Sequence, residues 1–328
     1  MAASIGRVVY NQEQENKPTG FAKLVANRKA RLAQMWYEMK QHKVIYLFLA
    51  PYAILFGIFT VGPVVISIFY SFTYFNVYEP ARFIGVQNYL NLFLSDEVFL
   101  IALRNTFILA LVTGPIGYMM AFLFAWFINE LPRYLRAFVT LVFYAPTLSG
   151  AVFLIWQLIF TGDSLGFANA YLMRWGLISE NQYWLTNPDL MMPVIIIVVL
   201  WMSLGAGFLA FIAGLSTIDP AMYEAGLVDG IKNRWQELWY ITLPNMKGML
   251  MFGAVMAITQ SFAVGDVTAQ LAGFPSTDYA VHTVVNHLMD YGGIRFEMGY
   301  ASAIATILFL SMIYANKGVQ FLISKVGT

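Results

Sequence analysis

Six long apolar stretches, separated by polar segments, run along residues 44–328. They lie near residues 44–72, 104–128, 134–160, 191–214, 248–272 and 297–323. Each contains at least the roughly 20 residues that an α-helix needs to cross about 30 Å of hydrocarbon. Because backbone N–H and C=O groups in lipid must pair within their own segment, we predict that each stretch is a membrane-spanning helix. The chain is therefore predicted to be an all-α membrane protein with one six-helix domain over residues 44–328.

A polar segment, residues 1–43, precedes the first apolar stretch. Several of its apolar residues share one face of a helical wheel: Phe21, Leu24, Val25, Leu32, Met35, Trp36 and Met39. Lys23, Lys29 and Arg31 lie elsewhere on the same wheel. This distribution favours an amphipathic helix at the membrane surface, and a partly disordered tail is the alternative.

Basic residues indicate which side of the membrane each polar segment faces. Only four of the 19 lysines and arginines lie in one set of segments: Arg82, Arg104, Arg174 and Arg295. The other fifteen lie in residues 1–43, in 129–133 with the adjoining Arg136, in 215–247 and at the C-terminal end. Because lysine and arginine are enriched in cytoplasmic segments, we predict that both termini and the loop 215–247 are cytoplasmic.

The composition agrees with a membrane protein and excludes several other classes. Hydrophobic residues make up 59% of the chain and charged residues 11%, against about 25% charged residues in soluble proteins. The net charge of +1 provides no strong field for nucleic acid. The absence of cysteine excludes disulfides, thiolate metal sites and a cysteine nucleophile.

No catalytic motif is found in the sequence. There is no GxxxxGK[ST] segment, so the chain is not expected to hydrolyse ATP through a P-loop, and there is no GxSxG or HExxH. His282 and His287 are five residues apart, which does not suit two metal ligands on one helical face, so we predict no metal site and expect both at the surface. Asp266 is expected near the outer end of the fifth helix. A proton relay needs more such groups, which weakens the alternative of an ion-coupled secondary transporter.

The loop 215–247 is predicted to be a helix–turn–helix outside the membrane. Asp219 is placed to cap a helix that has Pro220 at its first position, and Gly230 permits a turn at its end. The second helix carries Trp235, Leu238 and Trp239 on one side. That surface is too apolar for a solvated loop, so we expect it to dock on a protein.

This loop resembles the EAA loop of binding-protein-dependent ABC importer permeases, whose pattern is roughly E-A-A, three residues to Gly, then I-x-L-P. The matching residues are Glu224, Ala225, Gly230, Ile241, Leu243 and Pro244. Gly226 replaces the second Ala, and Gly248 stands where a further Pro is common. The resemblance implies a type I ABC importer permease fold. It also implies that the residues that couple the chain to an ATPase are Tyr223, Glu224, Ala225, Gly226, Asp229, Gly230, Leu243 and Pro244.

The resemblance extends over about residues 44–325 and is closest to the maltose-type sugar permeases, in particular to the larger maltose permease subunit. It rests on residues 83–90, 103–107, 184–185 and 298–303, whereas residues 272–275 depart from the usual Gly-Gly-Pro. It implies an importer in the bacterial cytoplasmic (inner) membrane. The implied partners are a second homologous permease, two ATPase subunits that bind ATP and Mg, a solute-binding protein outside the membrane, and a sugar. The chain itself is then a transport subunit with no catalytic residue and no cofactor of its own.

Polar residues near the midpoints of the predicted spans are the candidates for contacting that sugar. Thr147, Ser203 and Gln260 are such residues, and they are costly in lipid unless they line a cavity. Tyr144, Trp156 and Trp201 could supply aromatic faces for a sugar ring. The alternative is that the hydroxyls bond to their own helices and the tryptophans face lipid. A permease for an anion such as glycerol phosphate remains a second hypothesis, although the predicted mid-membrane positions contain no Lys or Arg.

Overall fold

The structure is a computed structural model that describes Met35, Tyr37, Glu38, residues 40–150 and residues 152–324. The described chain is mostly helical, with one short sheet. It falls into two compact units, Met1–Val65 and Ile66–Thr328. The amphipathic helix predicted within residues 1–43 lies almost wholly outside the described residues and stays a prediction.

An apolar helical run opens the described part of the chain. It comprises α1 (Lys43–Phe56), a π-helical turn (Gly57–Val61) and α2 (Gly62–Tyr70). Its 28 residues correspond to the first predicted span. None of the side chains in these three elements is fully buried. Because so much exposed apolar surface is unfavourable in water, the run requires lipid or protein around it.

The other secondary structure elements follow in chain order. A two-stranded antiparallel sheet pairs β1 (Thr73–Tyr74) with β2 (Arg82–Phe83). The helices up to the loop 215–247 are α3 (Gln87–Leu94), α4 (Glu97–Asn129), α5 (Arg133–Tyr144), α6 (Val152–Ile159), α7 (Phe167–Arg174), α8 (Pro188–Trp201) and α9 (Ala206–Ser216). The remaining helices are α10 (Pro220–Val228), α11 (Arg234–Glu237), α12 (Leu243–Asn245), α13 (Lys247–Phe262), α14 (Asp266–Ala272), α15 (Val284–Met289) and α16 (Met298–Ser324). Short 3-10 or π turns lie at Ala145–Leu148, Leu238–Thr242, Thr277–Tyr279 and Asp290–Ile294.

Within the described residues, four helical runs are long and apolar enough to cross a membrane, or up to six if each of two bent pairs counts as one span. The four runs are Lys43–Tyr70, Glu97–Asn129, Pro188–Ser216 and Met298–Ile323. They correspond to the first, second, fourth and sixth predicted spans. The bent pair Arg133–Leu148 and Val152–Ile159 corresponds to the third predicted span, whereas the pair Arg234–Asn245 and Lys247–Phe262 overlaps the fifth only through its second helix.

Three of the predicted spans contain non-helical residues, although Pro188–Ser216 still has the length and apolar character of one span. In the third, the segment Arg133–Leu148 meets α6 at an angle of 86°, next to Pro146 and Gly150. The fourth is broken at residues 202–205, and the fifth is broken at residues 263–265 between α13 and α14. Proline and glycine disfavour a continuous helix, and freed backbone groups are tolerated at membrane depth only where protein or a cavity surrounds them.

Helix α4 lies at the centre of the larger unit and packs against α8, α9, α13 and α15. Towards its C-terminal half, Tyr118 and Phe122 pack edge-to-face on Phe211 of α9, with ring centroids 5.5 and 5.6 Å apart. Such edge-to-face pairs are favourable because the ring edge is positive and the ring face negative. Helix α4 thus contributes buried residues to each of the main apolar clusters of this unit.

The expectation that His282 and His287 lie at the surface is wrong, because both are buried, with 4% and 2% of their surface exposed. The two rings pack against one another at 5.7 Å. His287 Nε2 lies 3.0 Å from Asp96 Oδ2, which also accepts a hydrogen bond from the Tyr300 hydroxyl at 2.8 Å. Asp96 is 191 residues away from His287 along the chain, so the pairing that permits this burial was not visible locally.

Candidate functional site

A cavity of about 580 Å³ lies where the interrupted spans meet α4. It is bounded by α4, by the 3-10 turn after α5, by the break between α8 and α9, and by the break between α13 and α14. Its lining residues are Thr113, Gly117, Tyr118, Ala121, Tyr144, Thr147, Leu148, Ser149, Gly150, Phe153, Val199, Met202, Ser203, Gly205, Ala206, Gly207, Phe211, Gly253, Ala257, Gln260, Ser261, Ala263, Val264, Gly265, Asp266 and Val267. Broken helices that line a cavity are the usual setting for solute sites in membrane transport proteins.

Four of the six residues predicted to contact a solute line this cavity: Tyr144, Thr147, Ser203 and Gln260. The Thr147 hydroxyl donates to the Tyr144 carbonyl at 2.7 Å, and the Ser203 hydroxyl donates to the Leu200 carbonyl at 2.6 Å. Both hydroxyls therefore satisfy their own helices and retain only oxygen lone pairs for a solute.

The side chain of Gln260 is the most available polar group of the four. It is exposed to the cavity and makes no hydrogen bond to any other residue that the structure describes. Its Nε2 passes close to Gly205, where an added β-carbon would lie only 3.2 Å away. Glycine at position 205 thus leaves the amide free to present both a donor and an acceptor.

The two predicted tryptophans occupy a different place. Trp156 and Trp201 are not among the lining residues but pack against each other edge-to-face, with ring centroids 5.3 Å apart. Trp156 also stacks on Phe160 at 5.8 Å. Among the aromatic residues at the cavity, Tyr118 was missed by sequence reasoning, and its hydroxyl donates to the Leu250 carbonyl at 3.3 Å. No sequence signal separated Tyr118 from the other aromatic residues of α4.

Asp266 is the acidic residue of the cavity lining. It begins α14, immediately after the break at residues 263–265, and its side chain is exposed. In the part of the chain that the structure describes, no lysine or arginine lines the cavity. The lining therefore combines apolar side chains with uncharged polar groups, apart from this one carboxylate. Nor does any cluster of three or more His, Asp or Glu suited to a metal occur among the described residues.

The loop 215–247 folds as α10, a turn and α11, followed by the π-helical turn Leu238–Thr242. The Asp219 side chain accepts a hydrogen bond from the Ala221 N–H at 3.0 Å, as predicted for a helix cap. Gly230 has a φ of +94°, a left-handed conformation that glycine adopts without a steric penalty. The Asn233 side chain caps α11 by accepting from the Gln236 N–H at 2.9 Å.

Helix α10 lies directly on the π-helical turn Leu238–Thr242. Gly226 is the buried residue of α10, and a β-carbon there would come within 2.6 Å of Ile241 Cδ1 and 3.0 Å of Ile231 Cδ1. The hydroxyls of Tyr223 and Thr242 share a hydrogen bond of 3.0 Å. Because alanine would need the isoleucines to move, glycine permits a closer approach of the two segments.

Helix α10 also exposes apolar side chains. Val228, Leu227 and Met222 are 88%, 61% and 44% exposed. Met222 lines a groove of about 470 Å³ between α10 and the π-helical turn, together with Gly226 and Ile241. Contiguous exposed apolar surface of this kind is typical of a docking site for another protein.

The sequence profile of the family described as "binding-protein-dependent transport system inner membrane component" matches residues 113–326. The chain belongs to this family. Together with its apolar helical runs, this membership makes it a multi-pass membrane protein with the type I ABC importer permease fold. The resemblance stated from the loop 215–247 is thereby confirmed at the level of the family.

Individual members of the family extend the match. The permease is 31% identical over 271 residues to the probable ABC transporter permease protein YesP of Bacillus subtilis, covering 81% of this chain and 85% of that one. It is 28% identical over 274 residues to the arabinooligosaccharides transport system permease protein AraP of Bacillus subtilis, covering 83% and 85%. A crystal structure of a bacterial alginate ABC transporter in complex with alginate pentasaccharide-bound periplasmic protein aligns with a TM-score of 0.68 at 26% identity, covering 90% of this chain and 100% of that one.

Away from the cavity, a buried polar group connects three helices of the permease. Asp96 caps α4 by accepting from the Phe99 N–H at 2.9 Å, and its other oxygen accepts from His287 and Tyr300. Burial raises the pKa of the Asp96 carboxyl, but the hydrogen bonds from His287, Phe99 and Tyr300 outweigh it and lower the pKa to about 2. Burial also lowers the pKa of His282 to about 4, aided by His287, so His282 is neutral at pH 7. This group joins the N-terminal ends of α4 and α16 to α15.

Proposed function

We propose that this permease is the membrane-spanning subunit of an ATP-driven importer that carries a sugar or oligosaccharide into the cell. The observation that carries the proposal is the structural likeness to a bacterial alginate ABC transporter over 90% of this chain, since a transporter of that kind is involved in the import of the acidic polysaccharide alginate. The name of AraP, which refers to arabinooligosaccharides, points to the same class of solute. The cavity among the broken spans supplies the place where such a solute would lie.

The cavity lining suits the hydroxyls and ring faces of a sugar. A sugar presents hydroxyls that both donate and accept, and it presents apolar faces that suit aromatic rings. Gln260 supplies an amide, Ser203 and Thr147 supply oxygen lone pairs, and Tyr144 supplies a ring. Trp156 and Trp201 do not line the cavity in this arrangement and would reach a sugar only if the cavity widened. An anion such as glycerol phosphate has weaker support, because no described lysine or arginine lines the cavity and Asp266 would repel it.

The proposed topology has six spans and both termini in the cytoplasm. Residues 1–43 then form a cytoplasmic N-terminal segment, and residues 44–328 form the transmembrane domain. The bent pair Arg133–Leu148 and α6 counts as span three, and span five begins after the loop 215–247 and comprises α13 and α14. The distribution of lysine and arginine supports this orientation, which puts the loop 215–247 on the inner side.

The exposed surface of α10 is proposed to dock on an ATPase subunit. An isolated helix of nine residues is marginal in water, so a partner is needed to hold it. The residues assigned to this docking and to its transmission are Tyr223, Glu224, Ala225, Gly226, Asp229, Gly230, Leu243 and Pro244. In the complete importer two ATPases bind ATP and Mg, a second homologous permease closes the cavity, and a binding protein delivers the sugar outside. ATP binding then biases the pair of permeases between inward-open and outward-open states.

The decisive experiment is reconstitution of the permease with its partners in lipid nanodiscs. The isolated chain is expected to show no ATP hydrolysis, whereas the assembled importer hydrolyses ATP faster when binding protein loaded with sugar is added. Calorimetry on the binding protein identifies the sugar. Hydrolysis by the purified chain alone, or an assembled importer that ignores every sugar its binding protein takes up, would refute the proposal.

A further inference from the structure

Two segments that are far apart in the sequence meet at one end of α4. Glu130 follows the last residue of α4, and Arg234 opens α11 in the loop 215–247. The Arg234 guanidinium donates through one terminal nitrogen to Glu130 and through the other to Glu237, each at 2.6 Å. Beside this pair, the rings of Trp126 and Trp235 pack with centroids 5.4 Å apart.

The geometry of this contact is suited to an arginine. A planar guanidinium presents its donors in a fixed fork, so it can hold two carboxylates in defined directions at once. Glu237 lies on α11 itself and orients the guanidinium, while Glu130 lies on the neighbouring segment and receives it. The pair is more than 40% exposed on both sides, and exposed ion pairs contribute little to stability. The ion pair therefore serves to fix the relative position of the two segments and adds little to the free energy of unfolding.

The contact completes a chain of packed elements from the docking helix to the cavity. Helix α10 is fastened to the π-helical turn through Tyr223 and Thr242, and that turn follows α11 directly. Helix α11 is fastened to the end of α4 through Arg234 and Trp235. Helix α4 lines the cavity at Gly117, twelve residues before Asn129, which is about 18 Å along a helix.

The covalent route from the loop to the cavity is less direct. It passes through α12 and then bends by 82° into α13. A sharp bend between short helices can absorb a displacement instead of transmitting it, whereas the stretch of α4 from Gly117 to Asn129 is a single uninterrupted helix.

We propose that Arg234 is a positioning residue that fastens the loop 215–247 to the end of α4, so that a movement of α10 reaches the cavity through α4. This inference rests on the proposed function, because it assigns a route to the coupling between ATPase and cavity. Arg234 is not among the residues that line the cavity. It acts by keeping the loop and α4 together during the transport cycle.

Arg234→Ala is expected to leave assembly intact and to lower the amount of sugar moved per ATP hydrolysed by about fivefold, the lower end of typical coupling between sites. Two control variants each remove one positive charge close to this contact, one beside Glu130 and one beside Arg234. Arg133→Ala and Lys232→Ala change exposed side chains that have no ion pair or hydrogen bond to another described residue, and both should transport like the wild type. Arg234→Lys should give an intermediate amount of sugar moved per ATP hydrolysed, because an ammonium group keeps the charge but lacks the forked donors of a guanidinium.

Because the chain contains no cysteine, a cross-link can replace the ion pair. The double variant Glu130→Cys/Arg234→Cys, in cysteine-free partners, should be impaired as the alanine variant is. Joining its thiols with a short bis-maleimide should restore the sugar-to-ATP ratio, whereas the single-cysteine variants treated alike should not recover. A merely local role of the charge would not be rescued by an uncharged link.

Several outcomes separate this inference from the proposed function. The proposed positioning role of Arg234 is refuted if the cross-link blocks transport, or if Arg234→Ala keeps the wild-type amount of sugar moved per ATP hydrolysed. Gly226→Leu, which displaces α10 itself, tests the coupling loop independently. If Gly226→Leu impairs the importer but Arg234→Ala does not, the proposed function stands and the positioning role of Arg234 is refuted. If neither variant impairs the importer, both the coupling role of the loop and the positioning role of Arg234 are refuted.

Discussion

Gly230 provides the sharpest test of the docking loop, because a change there alters backbone strain alone. Its φ of +94° is a conformation that other L-residues rarely adopt, and an added β-carbon would meet nothing within 4 Å. Any effect of a substitution is therefore free of side-chain clashes. Placing a residue with a β-carbon in the left-handed region costs about 1–2 kcal/mol, and a β-branched residue pays more.

A cost of about 1.4 kcal/mol changes an equilibrium constant tenfold, so Gly230→Val should lower the ratio of docking to non-docking loop conformations by roughly that factor. Gly230→Asn should be milder, because asparagine tolerates this region, and Gly230→Ala should fall between the two. Gly248 offers the matched control. It also has open space around its β-carbon position but no positive φ and lies in helix α13, so Gly248→Ala should be neutral or slightly stabilising.

The assay measures two quantities on the reconstituted importer: the ATPase subunit that copurifies with each variant, and the sugar-stimulated rate of ATP hydrolysis. Both should fall in the order wild type, asparagine, alanine, valine. If Gly230→Val copurifies and couples as well as Gly248→Ala, then the conformation at position 230 does not place the docking helix. The reasoning that connects this loop to the ATPase would be wrong.

Three further predictions follow from the cavity, the buried carboxylate and the topology. Gln260→Leu should slow uptake without affecting assembly, since it removes hydrogen bonds worth about 0.5–1.5 kcal/mol each. The control Gln182→Leu, outside the cavity, should not slow uptake. Equal uptake kinetics in the two variants would mean that Gln260 has only a structural role. Asp96 has a folded pKa of about 2, below its unfolded value. Its ionised form therefore contributes about 2 kcal/mol to the free energy of unfolding. This contribution is complete above about pH 4 and is lost as the pH falls towards 2. Thermal unfolding in detergent should show this loss in the wild type and much less of it in Asp96→Asn; identical pH profiles would contradict the assignment. A cysteine at Gln87 should react with an impermeant thiol reagent in whole cells and one at Lys232 should not, and labelling at position 232 would refute the proposed orientation.

The positions of the helices were largely predictable from the sequence. The apolar stretches near 44–72 and 104–128 correspond to the helical runs Lys43–Tyr70 and Glu97–Asn129. Hydrophobic length is a local property, and a chain in lipid has no alternative to pairing its backbone within the helix. The caps of α10 were predictable for the same reason, because Asp219 satisfies N–H groups only two residues away.

The interruptions of the spans were signalled in the sequence but not predicted. Pro146 and Gly205 lie at two of the breaks, yet a proline or glycine within an apolar stretch is compatible with a straight, kinked or broken helix. The outcome depends on whether neighbouring helices can surround the freed backbone groups. That is decided by packing, and at these breaks the packing also forms the cavity.

Only the tertiary structure decided which polar and aromatic side chains share a site. The length and apolar character of the spans and the capping of the docking loop follow from neighbouring residues, so the sequence by itself determined them. The burial of His287 beside Asp96, the pairing of Trp156 with Trp201 away from the cavity, and the meeting of Arg234 with Glu130 join residues that are 191, 45 and 104 positions apart. Such contacts arise from the packing of whole helices, whose crossing angles and registers no local pattern encodes.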